Sequence, residues 1–143
     1  MRKRIVTTML AAGAITLGLA VGQELRADEQ SHGTDAKEVV TPLLKTPVLG
    51  AEGKEVVIAH LSAPPGFVTT RHYHPGQLFV YVVAGSVSIE LDGEAPVKLG
   101  PGDVFQETPG HPMVGKNLSA THGAEAVIFQ IGDVGAPMQV DTE

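Results

Sequence analysis

From Glu55 onward the sequence is cut into short segments. A glycine, a proline or both recur about every eight to twelve residues, and nowhere beyond the first segment of the chain do apolar residues repeat at helical spacing over about ten positions. That rhythm predicts an all-β sandwich or barrel of short strands. Strands are expected at Glu55–Leu61, Leu78–Ala84, Ser86–Leu91, Ala95–Leu99, Val104–Glu107, Met113–Lys116 and Ala124–Ile131. Their turns carry the residues that turns require: Ala63-Pro64-Pro65-Gly66, Pro75-Gly76, Asp92-Gly93, Gly100-Pro101-Gly102-Asp103 and Thr108-Pro109-Gly110. In Ser86–Leu91 the alternation is clean, with Val87, Ile89 and Leu91 on one face. Val39 to Leu44 is an apolar patch broken by Pro42, expected as an edge strand or an arm on the sheet. Phe79, Tyr81, Phe105 and Phe129 are read as core.

The 143 residues suffice for one domain, and residues 1–27 do not read as part of it. Arg2, Lys3 and Arg4 precede an uncharged apolar run, Met9 to Val21, followed by small residues. This is the layout of a secretory signal peptide, with cleavage expected near Gly22 or Ala27. The run falls short of the ~20 apolar residues a membrane span needs, so a periplasmic or secreted protein with no stable span after processing is expected. Residues 28–38 are polar and aperiodic and read as a flexible lead-in; residues 39–143 form the domain.

The chain carries 10 Lys and Arg against 16 Asp and Glu, a net charge of −6. The leader holds four of the basic residues and, among acids, only Glu24, so the processed chain is more acidic still. Nucleic acid and anionic membrane surfaces are poor partners for such a chain. Cysteine is absent, so neither disulfides nor thiolate chemistry is available. All six histidines lie beyond the leader, and metal chemistry must rest on His, Met and carboxylates.

His72 and His74 are the pair that matters. Two residues apart in an extended run, they place both imidazoles on one face, within reach of one metal ion. Pro75-Gly76 then turns the chain into the apolar strand Leu78–Ala84, which Gly85 closes. A histidine pair at the end of a rigid strand is a candidate metal site with fixed geometry. His60 and His122 read as surface or hydrogen-bonded histidines, His32 as a surface residue, and Tyr73 points away from the pair.

With Gly66, His72, His74 and Gly85 at these separations, and Gly102, Gly110 and Asn117 following in order, the sequence resembles the cupin superfamily, small double-stranded β-helix barrels of jelly-roll type. The resemblance spans roughly residues 39–140. It implies a metal held by two histidines and a glutamate of the first motif and a histidine of the second. Here the glutamate position is Leu78, with Gln77 one place early, and the second-motif histidine position is Met113. The motif positions thus leave His72, His74 and Met113 as candidate ligands, with His111, two residues before Met113, as a replacement or fourth ligand. Two imidazoles and a thioether are neutral, soft-leaning donors, which favours copper, Cu(I) above all. Glu107, at a strand end near the site, is a candidate general acid or base.

Three functions stay open on these residues: a secreted metal-binding cupin holding copper, a metal-dependent oxygenase-type oxidoreductase acting on a small molecule, and a metal-free barrel that binds a small ligand. Proteins of this kind commonly pair through outer strands, and a homodimer is accordingly an expected partner.

Overall fold

The computed structural model describes residues 37–143; the leader and most of the lead-in, residues 1–36, lie outside the described residues. Ten strands follow in order: β1 Val39–Pro47, β2 Lys54–Ala63, β3 His72–Tyr73, β4 Gln77–Ala84, β5 Val87–Leu91, β6 Val97–Leu99, β7 Val104–Glu107, β8 Met113–Asn117, β9 Ala124–Asp133 and β10 Val140–Asp141. No helix occurs among the described residues. The strands form two five-stranded sheets, β1-β2-β9-β4-β7 and β10-β3-β8-β5-β6, with every pairing antiparallel.

Alternation decides which residues fill the space between the sheets. Leu78, Val80 and Val82 of β4 and Ala126 and Ile128 of β9 point inward from the larger sheet. They meet Ile89 and Leu91 of β5, Leu99 of β6 and Met113 of β8. Burying each Leu, Ile or Val side chain contributes about 1.5–3 kcal/mol, and this cluster is the main apolar core. At either end of β4 a glycine lets the chain pass close against its neighbour β9 within the larger sheet. A Cβ on Gly76 would stand 2.5 Å from the carbonyl oxygen of Ile131, and one on Gly85, at φ +81°, 2.7 Å from Cα of Ala124. Both positions exclude a side chain.

Asn117, buried in β8, ties the loops at one end of the barrel. Its Nδ2 donates to the carbonyls of Ala63, Pro64 and His122, and its Oδ1 accepts from the Ser119 amide. His122 is hydrogen-bonded at the surface by Thr121, and His60 lies 3.5 Å from Glu125.

Three expectations need correction. Phe79, Tyr81 and Phe129 are not core: they lie on the outer face of the larger sheet, half-buried or exposed, because β4 and β9 are apolar on both faces. Phe105 alone of the four aromatics packs against the core. The short strand β10 has too few residues to show any periodicity, and its pairing with β3 is new.

Candidate metal centre

The two-residue strand β3 is held from both sides. Val140 and Asp141 of β10 pair with Tyr73 and His72 on one edge, and Met113 of β8 stands opposite His72 on the other. Arg71 anchors this arrangement: its guanidinium bonds Asp92 and donates to Thr142 Oγ1 at 2.7 Å, while its carbonyl accepts from the Thr142 amide. The turn after the pair is fixed by the Gly110 amide donating to the carbonyl of His74 at 2.8 Å. His72 and His74 are consequently buried, 3% and 7% exposed, and point into the barrel.

The hydrogen bonds fix the tautomers. Nδ1 of His72 lies 2.9 Å from the carbonyl oxygen of Thr70, and Nδ1 of His74 lies 2.6 Å from that of Met138. A carbonyl only accepts, so each Nδ1 carries the proton. Each neutral ring therefore presents a bare lone pair on Nε2. These two Nε2 atoms face one another at 3.2 Å. Burial, the dominant influence, lowers the His74 pKa to about 4 against the opposing bond to Met138, and the neighbouring His72 adds to the lowering. His74 is neutral at pH 7.

A third acceptor joins them. Glu107, 3% exposed at the end of β7, places Oε2 3.2 Å from His74 Nε2, and burial raises its pKa to about 7. With His74 neutral the contact is no ion pair, and Glu107 Oε2 has no hydrogen-bond partner. The reason is chemical: the ring's only proton sits on Nδ1 and is donated to Met138, so Nε2, the nitrogen facing the carboxylate, has none to give. Three lone-pair donors converge with nothing to bind them together except a proton or a cation. Two donor atoms on one ion, each about 2.1 Å from it and about 90–109° apart, lie about 3.0–3.4 Å from each other, which brackets both observed separations. The three are strung through His74, and among the described residues no group of three or more His, Cys, Asp or Glu side chains forms a ready-made cage.

Glu107 reaches the site for a simple reason. Its Cα partner across the β4–β7 ladder is Leu78, the position where the resemblance expects a glutamate. Paired residues point to the same face. A carboxylate removed from position 78 is thus supplied one strand away.

The donors border a cavity of about 100 Å³ walled by Leu61, Phe67, Leu78, Val80, Ile128 and Met113. Glu38, whose carboxyl is raised by burial and lowered by His72, and Val40 line it from the start of β1; Gln139 and Lys116 line it elsewhere, the latter paired with Glu90 at 2.7 Å.

Of the residues singled out from sequence, the structure brings together His72, His74, Glu107 and Met113 on this cavity. Met113 is 3% exposed and also belongs to the apolar core. His111 is not brought in. It sits in the turn before β8, where alternation does not apply, with Nε2 donating to the carbonyl of Asp92 at 2.9 Å and Nδ1 3.8 Å from Glu94. Met138, whose carbonyl sets the His74 tautomer, carried no sequence signal.

The sequence profile of the cupin domain matches residues 59–129, which spans β2 to β9 and contains every one of these donors. This chain is a cupin. Over 49 residues it is 35% identical to dimethylsulfoniopropionate lyase DddQ of Ruegeria pomeroyi, a match covering 34% of this cupin and 24% of the lyase. The crystal structure of that lyase superposes with a TM-score of 0.55 at 25% identity, over 61% of this chain and 43% of that one. The cupin therefore spans less than half the length of this relative. A cupin superfamily protein from Desulfitobacterium hafniense superposes at TM-score 0.56 and 14% identity, over 68% of this chain and 79% of its own. A cupin from Methanocaldococcus jannaschii does so at 0.55 and 21%, over 73% and 85%. These two share the fold.

Proposed function

We propose that this cupin is an exported metal-binding protein in which His72, His74 and Glu107 hold one divalent ion beside a small apolar cavity. The observation that carries the reading is the meeting of three lone pairs, two of them on imidazoles whose other nitrogens donate to backbone carbonyls. That outer hydrogen-bond pattern is the one metal-ligating histidines adopt. The buried, unpartnered Oε2 of Glu107 fits the same group, because a cation replaces the missing donor. When bound, such an ion supplies Lewis acidity toward a small molecule in the cavity. The chain's own residues do the rest: Thr70 and Met138 fix the ring orientations, and the apolar wall excludes water.

Glu107 alters the expected metal. A donor set without a carboxylate favours copper, whereas a buried carboxylate shifts preference toward harder or borderline ions such as Zn(II), Mn(II) or Fe(II). Cu(I) is the reading if the Met113 sulfur ligates, since it borders the same cavity. The volume admits only a small substrate, and the similarity to a dimethylsulfoniopropionate lyase makes a sulfonium acid one compound worth assaying.

The test is calorimetric titration of the chain with Zn(II), Mn(II), Fe(II), Cu(II) and Cu(I), repeated on His72→Ala. One equivalent bound by the native chain and lost in the variant, with the β-sheet circular dichroism unchanged, supports the site. Absence of binding to all five ions refutes it and leaves the metal-free ligand barrel.

A further inference from the structure

The inner face of β9 reads Ala124, Ala126, Ile128, Gln130: three apolar residues and then an amide. Gln130 is 4% exposed and stands in one row with the metal site, since Leu78 is the Cα partner of both Gln130 and Glu107. Paired residues share a face. Its Nε2 donates to the Pro137 carbonyl at 3.4 Å, the only orientation that makes a bond there, because a carbonyl only accepts. Oε1 is buried as well and has no hydrogen-bond partner. A buried unpartnered oxygen costs stability, and an apolar side chain of the same length would carry none. The amide is also enclosed. A Cβ on Gly76 would stand 3.0 Å from Nε2, and one on Gly132 would stand 3.5 Å from it. Gln130 thus lies between two segments that both lead to His74: Gly76 follows His74 by two residues in the chain, and Pro137 precedes Met138, whose carbonyl takes the His74 proton.

We infer that Gln130 is a positioning residue that decides which nitrogen of His74 carries the ring's one proton. Two acceptors compete for it, one at each nitrogen: the Met138 carbonyl lies 2.6 Å from Nδ1, and Glu107 Oε2 lies 3.2 Å from Nε2. A proton on Nε2 would give Glu107 the donor it lacks and remove the lone pair that an ion needs. Nδ1 keeps the proton only while the Met138 carbonyl is held against the ring. In the connection between β9 and β10, the Gly135 amide is tied to Glu55 and the Met138 side chain packs on the core. Among the described residues, Gln130 and His74 are the side chains that bond the carbonyls of Pro137 and Met138. Wedged between the turn at Gly76 and the Pro137 carbonyl, the Gln130 amide sets how far the next carbonyl stands from the imidazole. The consequence for ion binding rests on the proposed metal centre; the tautomer itself does not.

The full chain, dialysed against chelator and held at pH 8, is compared with Gln130→Met by long-range proton–nitrogen NMR correlation through the imidazole rings, which reads the protonated nitrogen of each histidine. In the native chain His72 and His74 are both expected to be protonated on Nδ1. In the variant His72, held by Thr70, is expected to be unchanged, while His74 moves its proton in part or in whole to Nε2. Zinc affinity is expected to fall about 10-fold, the lower end for a residue that acts through a ligand's hydrogen-bond partner. Gln130→Leu removes the same amide and stands in if Gln130→Met misfolds. A glutamine that only fills space would alter the melting temperature and leave both tautomers as they are. A folded variant whose His74 keeps its proton on Nδ1 overturns the inference, as does a native chain whose His74 already carries it on Nε2. A native chain that takes up no zinc refutes the metal centre instead, and the tautomer comparison still decides the role of Gln130.

Discussion

Replacing Glu107 with Gln separates a binding residue from a structural one, because the two roles predict opposite signs. Glu107 is buried and its Oε2 unpartnered, and burial lifts its pKa from 4.5 to about 7. A carboxyl whose folded pKa is raised costs nothing below its unfolded value. Its cost grows as pH climbs from 4.5 to about 7 and is complete above that. The gap between those values corresponds to about 3 kcal/mol. At pH 8 His74 is neutral in both folded and unfolded chains, so it adds nothing to the comparison. Glu107→Gln should therefore stabilise the metal-free protein at pH 8 by an amount on the order of 3 kcal/mol, or about 10 °C or more in Tm for a domain this size, and by almost nothing at pH 4. The Gln amide also offers His74 Nε2 the donor it lacks. The same variant should bind the ion at least about 100-fold more weakly, so the rise in Tm that the native chain shows on adding metal disappears. Differential scanning calorimetry at both pH values, with and without Zn(II), reads all of this. A variant that melts lower at pH 8, or that is still stabilised by the ion as strongly as the native chain, refutes the assignment.

Three further outcomes follow from the geometry. The swap Leu78→Glu/Glu107→Leu exchanges two paired positions on one inner face and should restore much of the zinc affinity that Glu107→Leu alone abolishes, read by competitive titration with a chromophoric chelator. Met113→Leu, nearly volume-conserving in the core, should change Tm by less than about 1.5 kcal/mol equivalent and leave zinc affinity intact; a selective loss of Cu(I) affinity would instead make the thioether a ligand. Asn117→Ala removes the donor to three loop carbonyls and should destabilise the fold by about 2–4 kcal/mol in chemical denaturation.

The strand pattern was legible because turns carry their own chemistry. Asp92-Gly93 and Thr108-Pro109-Gly110 punctuate the chain wherever the strands end, and Val104–Glu107 matches β7 to the residue. The histidine pair was legible because alternation over two residues needs no tertiary information. Alternation failed where both faces are apolar: in Leu78-Phe79-Val80-Tyr81-Val82-Val83 nothing in composition says which face meets the core, and the aromatic one turned out to face outward. Glu107 was visible as a strand-end acid near the site, but its place opposite Leu78 depends on β4–β7 register, which links positions 29 apart and is set by the whole barrel. His111 misled because a proline-flanked turn does not continue the strand that follows it.

The tautomer of His74 is fixed by a carbonyl 64 residues further along the chain. The site is therefore complete only when the segment carrying Met138 and β10 lies beside β3. None of the buried residues of the core cluster lies on β10, so the inner face of the barrel is filled without that strand. Without the Met138 carbonyl, two residues before β10, no other hydrogen bond holds the His74 proton on Nδ1. The amide of Thr142, bonded to the Arg71 carbonyl, reports that closure, since its protection from exchange requires β10 to be paired beside the histidines.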